Sequence, residues 1–235
     1  MNVVNQYLPA ISNSQFCIII FLDFTMAFDC VSYEILINKF YRYGLRASVS
    51  DFFKYYLSGR TQSVAFENNV ISPTLPSTIG VPQGTPIAPF FYIAYANNLF
   101  NNIDVNMTMY ADDTVIRLTD SCPDRIITKL NDVMELISSW CDLNLIGINV
   151  FKSKAMAVSN RLITSDLHLK LNSIPLEFVK NFTYLGIKLD SKLKYSEHIE
   201  FLKTKLAQLT GIARRVTGYF DLHSAYLYYF SFVYS

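Results

Sequence analysis

Asp112 and Asp113 stand side by side in the tetrapeptide Tyr110-Ala111-Asp112-Asp113, between the apolar runs Val105 to Met109 and Thr114 to Leu118. Two apolar runs joined by so short a polar step predict a β-hairpin with both acids at its tip. Neighbouring carboxylates repel one another and resist desolvation, so a pair held beside a folded interior calls for a cation. A third acid in comparable surroundings, Asp23, ends the run Phe16-Cys17-Ile18-Ile19-Ile20-Phe21-Leu22. If the strand carrying Asp23 pairs beside the 105–118 hairpin, three carboxylates meet at one edge of a sheet as a divalent-metal site. Taken without other motifs, Asp112 and Asp113 also fit a plain polar turn, since aspartate favours turns.

The segment before Asp23 is too short to span a bilayer, and its β-branched and aromatic residues predict a buried strand. Behind it, Val31, Ile35, Leu36 and Phe40 recur at helical spacing, predicting a helix over 31–43 that stops at Gly44. A second helix is predicted over 49–57, then a strand over 61–70 with Val64 and Phe66 on one face, and a loop over 73–84 rich in Pro, Gly and Thr. Thr85-Pro86 supplies an N-cap and first-turn pair for an apolar helix reaching Leu99 or Phe100. After the hairpin come a helix over 123–145 and strands near 148–151, 155–159, 167–171 and 182–189. A basic amphipathic helix over 198–216 and a last helix from Leu222 complete the chain. This order predicts an α+β fold, an antiparallel sheet with helices packed on one face and the other face open to a long substrate.

An apolar fraction of 51% over 235 residues and a mean hydropathy of +0.22 support a substantial core and argue against a disordered chain. No stretch reaches the roughly 18 uninterrupted apolar residues of a membrane helix. The run 86–100 is broken by Pro89 and by Asn97-Asn98. Met1 to Gln6 lacks the basic start and apolar stretch of a signal peptide, so an intracellular protein, in nucleus or cytoplasm, is expected. Cys17, Cys30, Cys122 and Cys141 are scattered with no CxxC pair and are expected as reduced thiols, not as a disulfide or zinc framework. Net charge is +1, yet residues 1–150 hold 8 Lys and Arg against 13 Asp and Glu, while residues 151–235 hold 12 against 6. An acidic half able to hold cations and a basic half able to hold polyanions suit an enzyme working on nucleic acid. Ordinary solvated surface charge is the alternative.

The motifs resemble those of a known family, the reverse transcriptases of non-LTR retrotransposons, the jockey-like group in particular. Phe21-Leu22-Asp23-Phe24-Thr25-Met26-Ala27-Phe28-Asp29-Cys30-Val31 is similar to the first palm motif, Gly80-Val81-Pro82-Gln83-Gly84-Thr85-Pro86 to the second, and Tyr110-Ala111-Asp112-Asp113 to the third. Asn149-Val150-Phe151-Lys152-Ser153-Lys154 resembles the fourth and Tyr184-Leu185-Gly186-Ile187-Lys188-Leu189-Asp190 the fifth. The resemblance implies a polymerase palm with partial fingers over residues 1–190, of which 31–80 form the fingers-like insertion, and a partial helical thumb over 191–235. It implies attack of a DNA primer 3′-hydroxyl on the α-phosphate of a dNTP, copied from an RNA template, with two Mg²⁺ ions, or Mn²⁺ in their place, clamping the attacking and leaving oxygens. By the same resemblance Asp23 and Asp112 bridge the metals, Asp113 supports them, and the Phe24 carbonyl is a further ligand. Ala27 and Phe28 line the nucleotide sugar, the Phe28 ring excluding a 2′-hydroxyl, and Gln83 with Gly84 contacts nucleotide and template. Lys152 or Lys154 neutralises or protonates the leaving pyrophosphate. Leu185 and Gly186 grip the primer end, and Lys203, Lys205, Arg214 and Arg215 bind duplex phosphates.

Each role has a plainer counterpart: a core phenylalanine for Phe28, a surface turn for Gln83, solvated lysines for the fourth motif and the last helix. The sequence also departs from the family pattern. Only fifteen residues precede Phe16 where the family's fingers begin well upstream, so a fragment lacking the upstream fingers is expected. Met26 stands where many relatives carry Lys, and Asn97-Asn98 where they often carry Asn-Asp. Two other functions remain open on the sequence: a catalytically silent remnant that only binds nucleic acid, and a viral-type RNA-dependent RNA polymerase, against which the aromatic Phe28 argues.

Overall fold

A computed structural model describes residues 15–66, 70–101, 103–159, 167–219 and 221–233. The chain divides into two compact units, Met1–Phe178 and Val179–Ser235. The first holds β1 (Phe16–Leu22), β2 (Phe24–Thr25), α1 (Tyr33–Arg42), α2 (Ala47–Leu57), β3 (Thr61–Gln62), β4 (Leu75–Pro76) and α3 (Ile87–Ala96). After α3 a 3₁₀ turn, Asn97–Phe100, leads to β5 (Asn106–Tyr110), β6 (Asp113–Asp120), α4 (Pro123–Leu143), β7 (Gly147–Ile148), β8 (Lys154–Val158), β9 (Lys170–Leu171) and β10 (Ile174–Pro175). The second unit holds the hairpin β11 (Asn181–Tyr184) and β12 (Ile187–Asp190), then α5 (Ser196–Val216) and α6 (Leu222–Tyr228).

The centre of the first unit is a four-stranded antiparallel sheet in the order β5-β6-β1-β8. Every residue of β1 is buried, as an all-apolar strand paired on both edges should be. Ile18, Ile20 and Leu22 point into one core with Leu36 and Phe40 of α1, Phe53 and Leu57 of α2, Phe91, Tyr92 and Tyr95 of α3, and Ile126, Leu130, Met134 and Ile137 of α4. Phe40, Phe53 and Phe91 interlock the first three helices, with ring centroids 4.9 Å apart for Phe40–Phe53 and 5.2 Å, edge to face, for Phe53–Phe91. Burying side chains of this size contributes about 1.5–3 kcal/mol each, which is why short helices of ordinary propensity hold their places.

The sheet differs from expectation on its other face. Cys17, Ile19 and Phe21 are as buried as their helix-facing neighbours, so the face opposite the helices is not open along β1. The exposed backbone lies instead at edge strand β5, whose alternate residues Asn106, Thr108 and Tyr110 face solvent. Among the described residues the strand expected over 61–70 pairs at Thr61–Gln62, with an isolated bridge from Ala65 to Ile71, and its partner β4 lies within the expected loop; residues 67–69 lie outside the described residues. Val64 and Phe66 are exposed, so no buried face enforces a longer ladder there. Thr85 does not cap α3: its hydroxyl donates to the Pro82 carbonyl at 2.8 Å, and the helix starts two residues later without a side-chain cap. Ser32 does cap α1, its hydroxyl accepting the Ile35 N–H. The strand expected over 182–189 is a hairpin broken at Leu185-Gly186, both at positive φ. None of the described helices is long and apolar enough to cross a membrane.

One buried cation ties the helices together. Lys39 lies on the apolar stripe of α1, and its ammonium donates to the Tyr95 carbonyl, to Asn98 Oδ1 at 2.8 Å and to Asn144 Oδ1 at 2.5 Å. It also sits over the Tyr95 ring at 4.5 Å and the Trp140 ring at 5.2 Å. Three acceptors match the three protons of an ammonium, and each comes from a different turn at the ends of α3 and α4. Asn98, which also accepts the Trp140 indole N–H at 3.2 Å, is a neutral acceptor where the resembling family often has a carboxylate. Without a counter-ion, burial, and after it the Arg42 charge, push the Lys39 ammonium down from 10.5 to about 8. Lys39→Met leaves the Asn144 and Tyr95 oxygens without a donor, and is expected to cost about 2–3 kcal/mol in urea unfolding at neutral pH. Between about pH 8 and 10.5 the folded chain binds fewer protons at Lys39 than the unfolded chain. The stability of the native chain relative to the variant should therefore rise through that window, and a constant difference would contradict the burial of this amine.

Candidate nucleotidyl-transfer site

Asp23 occupies the one-residue gap between β1 and β2, where the chain leaves the central sheet. Its N–H donates to Ser153 Oγ at 3.1 Å, and its carbonyl accepts the Asn149 N–H at 2.8 Å. The β1–β6 register ends at Leu22 opposite Thr114, so the next step along both strands brings Asp23 level with Asp113. The hairpin β5–β6 closes through Ala111 and Asp112, with Ala111 at φ +54° and Tyr110 paired to Asp113. The two acids are thus the last turn residue and the first strand residue, as the apolar runs on either side demand.

Asp23 and Asp112 line a common cavity of about 620 Å³, nucleotide-sized and open to solvent. Phe24, Ala27, Phe28, Gln83, Gly84, Asn149 and Lys152 line the same space. Asp113 does not line it, but its carboxyl is held above the ordinary range, first by partial burial and then by the charges of Asp112 and Asp23. None of the ion pairs among the described residues uses any of the three acids. Hard, uncompensated carboxylate oxygens facing one cavity fit a magnesium-type cation. Among the described residues, however, no three Asp, Glu, His or Cys side chains stand at ligating spacing, and the carboxylates that line the cavity are those of Asp23, Asp29 and Asp112.

The wall across from the acids is built by stitching two distant segments. Gly80 N–H donates to the Val31 carbonyl and Val81 N–H to the Phe28 carbonyl, both at 2.8 Å. A Cβ at Gly80 would lie 2.9 Å from the backbone oxygen of Asp29, and the residue sits at φ +84°, so only glycine fits. This contact carries Gln83 to Asp29, where the Gln83 amide donates to the carboxylate at 3.0 Å. A carboxylate only accepts, so Asp29 fixes which end of the amide faces it and turns the Gln83 carbonyl the other way. Phe28 stacks on Tyr92 with centroids 4.8 Å apart, which holds its ring in the cavity wall. The Tyr92 hydroxyl is buried without a partner, and burial together with Asp112 keeps it protonated.

The two lysines of the fourth motif part company. Lys154 pairs with Glu177 at 2.6 Å and donates to the Phe151 carbonyl, whereas the exposed Lys152 lines the cavity with the acids. In the second unit, Leu185 and Gly186 form the β11–β12 turn, and Lys203, Lys205, Arg214 and Arg215 are exposed on α5, Lys203 pairing with Glu200 at 3.2 Å. The thiols of Cys17 and Cys141 are buried and pushed up to about 12, while Cys30 and Cys122 are half-buried, and all four are free. Sequence reasoning missed Asp29, Asn149 and Tyr92. Asp29 and Asn149 were signalled only by lying inside the first and fourth motifs, and Tyr92 only by its helical spacing toward the core.

Residues 7–189 match the family described as reverse transcriptase (RNA-dependent DNA polymerase). The chain is 29% identical over 210 residues to a probable RNA-directed DNA polymerase from transposon X-element of Drosophila melanogaster, covering 87% of this chain and 23% of that protein. It is 28% identical over 222 residues to the RNA-directed DNA polymerase from mobile element jockey of the same species, covering 89% and 24%. The chain thus spans about a quarter of the length of these relatives. Among solved structures it is similar in fold to apo telomerase from Candida tropicalis truncated from its C-terminal domain, with TM-score 0.53 and 13% identity over 83% of this chain and 39% of that one. Telomerase of the same species with a fragment of telomeric RNA gives TM-score 0.53 and 12% identity over 84% and 34%. The carboxylate cavity, the stitched glycine loop and this match over most of the sequence agree: the chain belongs to the reverse transcriptase family, in its non-LTR retrotransposon branch.

Proposed function

We propose that this chain is the nucleotidyl-transfer core of an RNA-directed DNA polymerase, adding dNTP to a DNA primer 3′-hydroxyl opposite an RNA template. The observation that carries the reading is the shared cavity of Asp23, Asp112, Phe28, Gln83 and Lys152, in which the acids form no ion pair among the described residues. Asp23, Asp112 and the Phe24 carbonyl would hold the divalent ions, with Asp113 reinforcing the negative field. When bound, such ions stabilise the attacking and leaving oxygens of the displacement.

The remaining work belongs to side chains of the cavity. Phe28, braced by Tyr92, presents a flat apolar wall to the sugar at C2′, where a hydroxyl would find no room and no partner. Ala27 and Gly84 leave space for the nucleotide, and Gln83, held by Asp29, offers its amide oxygen. Lys152, with no ion-pair partner among the described residues, supplies charge and a proton for departing pyrophosphate. Residues 1–190 act as palm with the 31–80 fingers-like insertion and 191–235 as thumb. Leu185 and Gly186 meet the primer end, and Lys203, Lys205, Arg214 and Arg215 meet duplex phosphates. Such an enzyme works inside the cell, in nucleus or cytoplasm.

A second reading, a silent nucleic-acid binder, is favoured by one observation: no three acidic side chains among the described residues stand at ligating spacing. The two readings separate on Asp112→Asn. Polymerisation requires Mg²⁺- or Mn²⁺-dependent primer extension that falls by roughly 10²–10³-fold or more in Asp23→Asn and in Asp112→Asn, with the circular dichroism unchanged. A binder shows no extension and a gel shift indifferent to Asp112→Asn.

Two further outcomes follow from the same cavity. Phe28→Ala should raise the use of NTP relative to dNTP by about 10–100-fold, measured as a ratio of kcat/KM values, and an unchanged ratio would remove Phe28 from sugar selection. Asp113→Asn should raise the melting temperature in EDTA at neutral pH. The raised carboxyl of Asp113 favours the folded chain only while protonated, and that contribution is lost as pH rises through its folded value. Solvent screening keeps the gain to about 1–2 °C, and below about pH 4 it should vanish.

A further inference from the structure

Beside the carboxylate cavity lies a second one of about 610 Å³, lined among others by Arg60, Gln62 and Thr78. The two cavities share Met26, Asp29 and Gln83, so their contents are next-door neighbours. Arg60 stands where the β3–β4 ladder begins, its backbone fixed by the Ser77 N–H donating to its carbonyl at 2.8 Å. Its guanidinium makes no hydrogen bond or ion pair among the described residues, and its Nε is enclosed without a partner. An enclosed donor of this kind costs stability unless an acceptor arrives, and the planar fork of arginine matches the oxygens of a phosphate or a carboxylate. The only carboxylate on this cavity wall, Asp29, already accepts from the Gln83 amide.

We propose that Arg60 and the cavity around it bind a backbone phosphate of the template strand, beside the template nucleotide that pairs with the dNTP in the carboxylate cavity. This deepens the polymerase reading and rests on it: a strand read at Gln83 continues past the shared wall, and its next phosphodiester meets Arg60. The contact is to phosphate alone, so it carries no base sequence and treats RNA and DNA alike. Met26 and Gln83 at the shared wall mark where one nucleotide gives way to the next.

Fluorescence anisotropy of short single-stranded RNA and DNA oligonucleotides, followed over a salt series, tests the assignment. Arg60→Ala should weaken binding of every sequence by about 5–10-fold at low salt and lower the slope of log affinity against log salt by about 0.7, the share of one phosphate. Thr78→Glu, which puts an anion into the same cavity without touching Arg60, should weaken binding in the same direction, and a melting curve checks that both variants fold. Unchanged affinity and slope in Arg60→Ala, with the native chain binding well, would overturn the phosphate site and leave the polymerase reading standing. If Arg60→Ala instead weakens the competition of a free dNTP and spares the oligonucleotide, the anion is a triphosphate and the strand assignment is wrong. A native chain that binds no oligonucleotide at all would bring down both.

Discussion

The fold depends on one strand that water never reaches. β1 is apolar at all seven positions, paired to β6 on one edge and β8 on the other, and buried on both faces. A one-residue shift would exchange Ile18, Ile20 and Leu22 for Cys17, Ile19 and Phe21 in the helical core, at a cost in side-chain fit and not in polarity. The same register decides where chemistry can happen. Continued one step past Leu22, the pairing with β6 sets Asp23 level with Asp113, and the pairing with β8, which ends at Phe21 opposite Lys154, leads toward Lys152. A carboxylate at the exit of the best-held strand is therefore flanked by acids on one side and by a cation on the other, through backbone pairing alone.

The second constraint is the contact between Gly80 and Asp29. Residues 26–31 turn back on themselves, with Met26 at φ +48° and the Met26 carbonyl accepting from both Asp29 and Cys30. The glycine loop from 80 to 84 can lie against that turn only because Gly80 has no Cβ to strike the Asp29 carbonyl. Fixing the two segments together sets the distance between Phe28 and Gln83, the two residues that would face a nucleotide from different parts of the chain. The glycines of the second motif thus act through backbone approach, and the side chains that line the cavity inherit their precision from it.

What could be read in advance follows from this division. β1, the acid hairpin, α1 and α4 were legible because apolar spacing alone specifies them, whereas the Ser32 cap that starts α1 was not read in advance. The strand over 61–70 was not, since Val64 and Phe66 look like a buried face but stay exposed, and their alternation has no core to obey. Thr85 satisfied the usual rule for a cap, yet its hydroxyl turns back to the Pro82 carbonyl, a tertiary choice that local sequence does not contain. Asp29 was legible as part of a motif but not as the partner of Gln83, which lies 54 residues away. Lys39 left a signal that went unused, a lysine three residues after Leu36 on an otherwise apolar stripe.

Lys39 and Arg60 show how a structural cation differs from one held ready for a ligand. Both sit on ordered backbone, and neither has a carboxylate partner among the described residues. Lys39 spends every proton on an oxygen of its own chain and lies over two rings, so nothing further can bind and its replacement is felt as lost stability. Arg60 lines a cavity and has an enclosed Nε without a partner among the described residues, a cost with no return visible among them. Asp23 and Asp112 belong with Arg60 in this respect: like charges brought to one cavity, with no ion pair among the described residues, destabilise the chain that holds them. Groups kept without a partner among the described residues on ordered backbone are candidates for ligand contacts, and the acids and the arginine, on neighbouring cavities, would suit ligands of opposite charge.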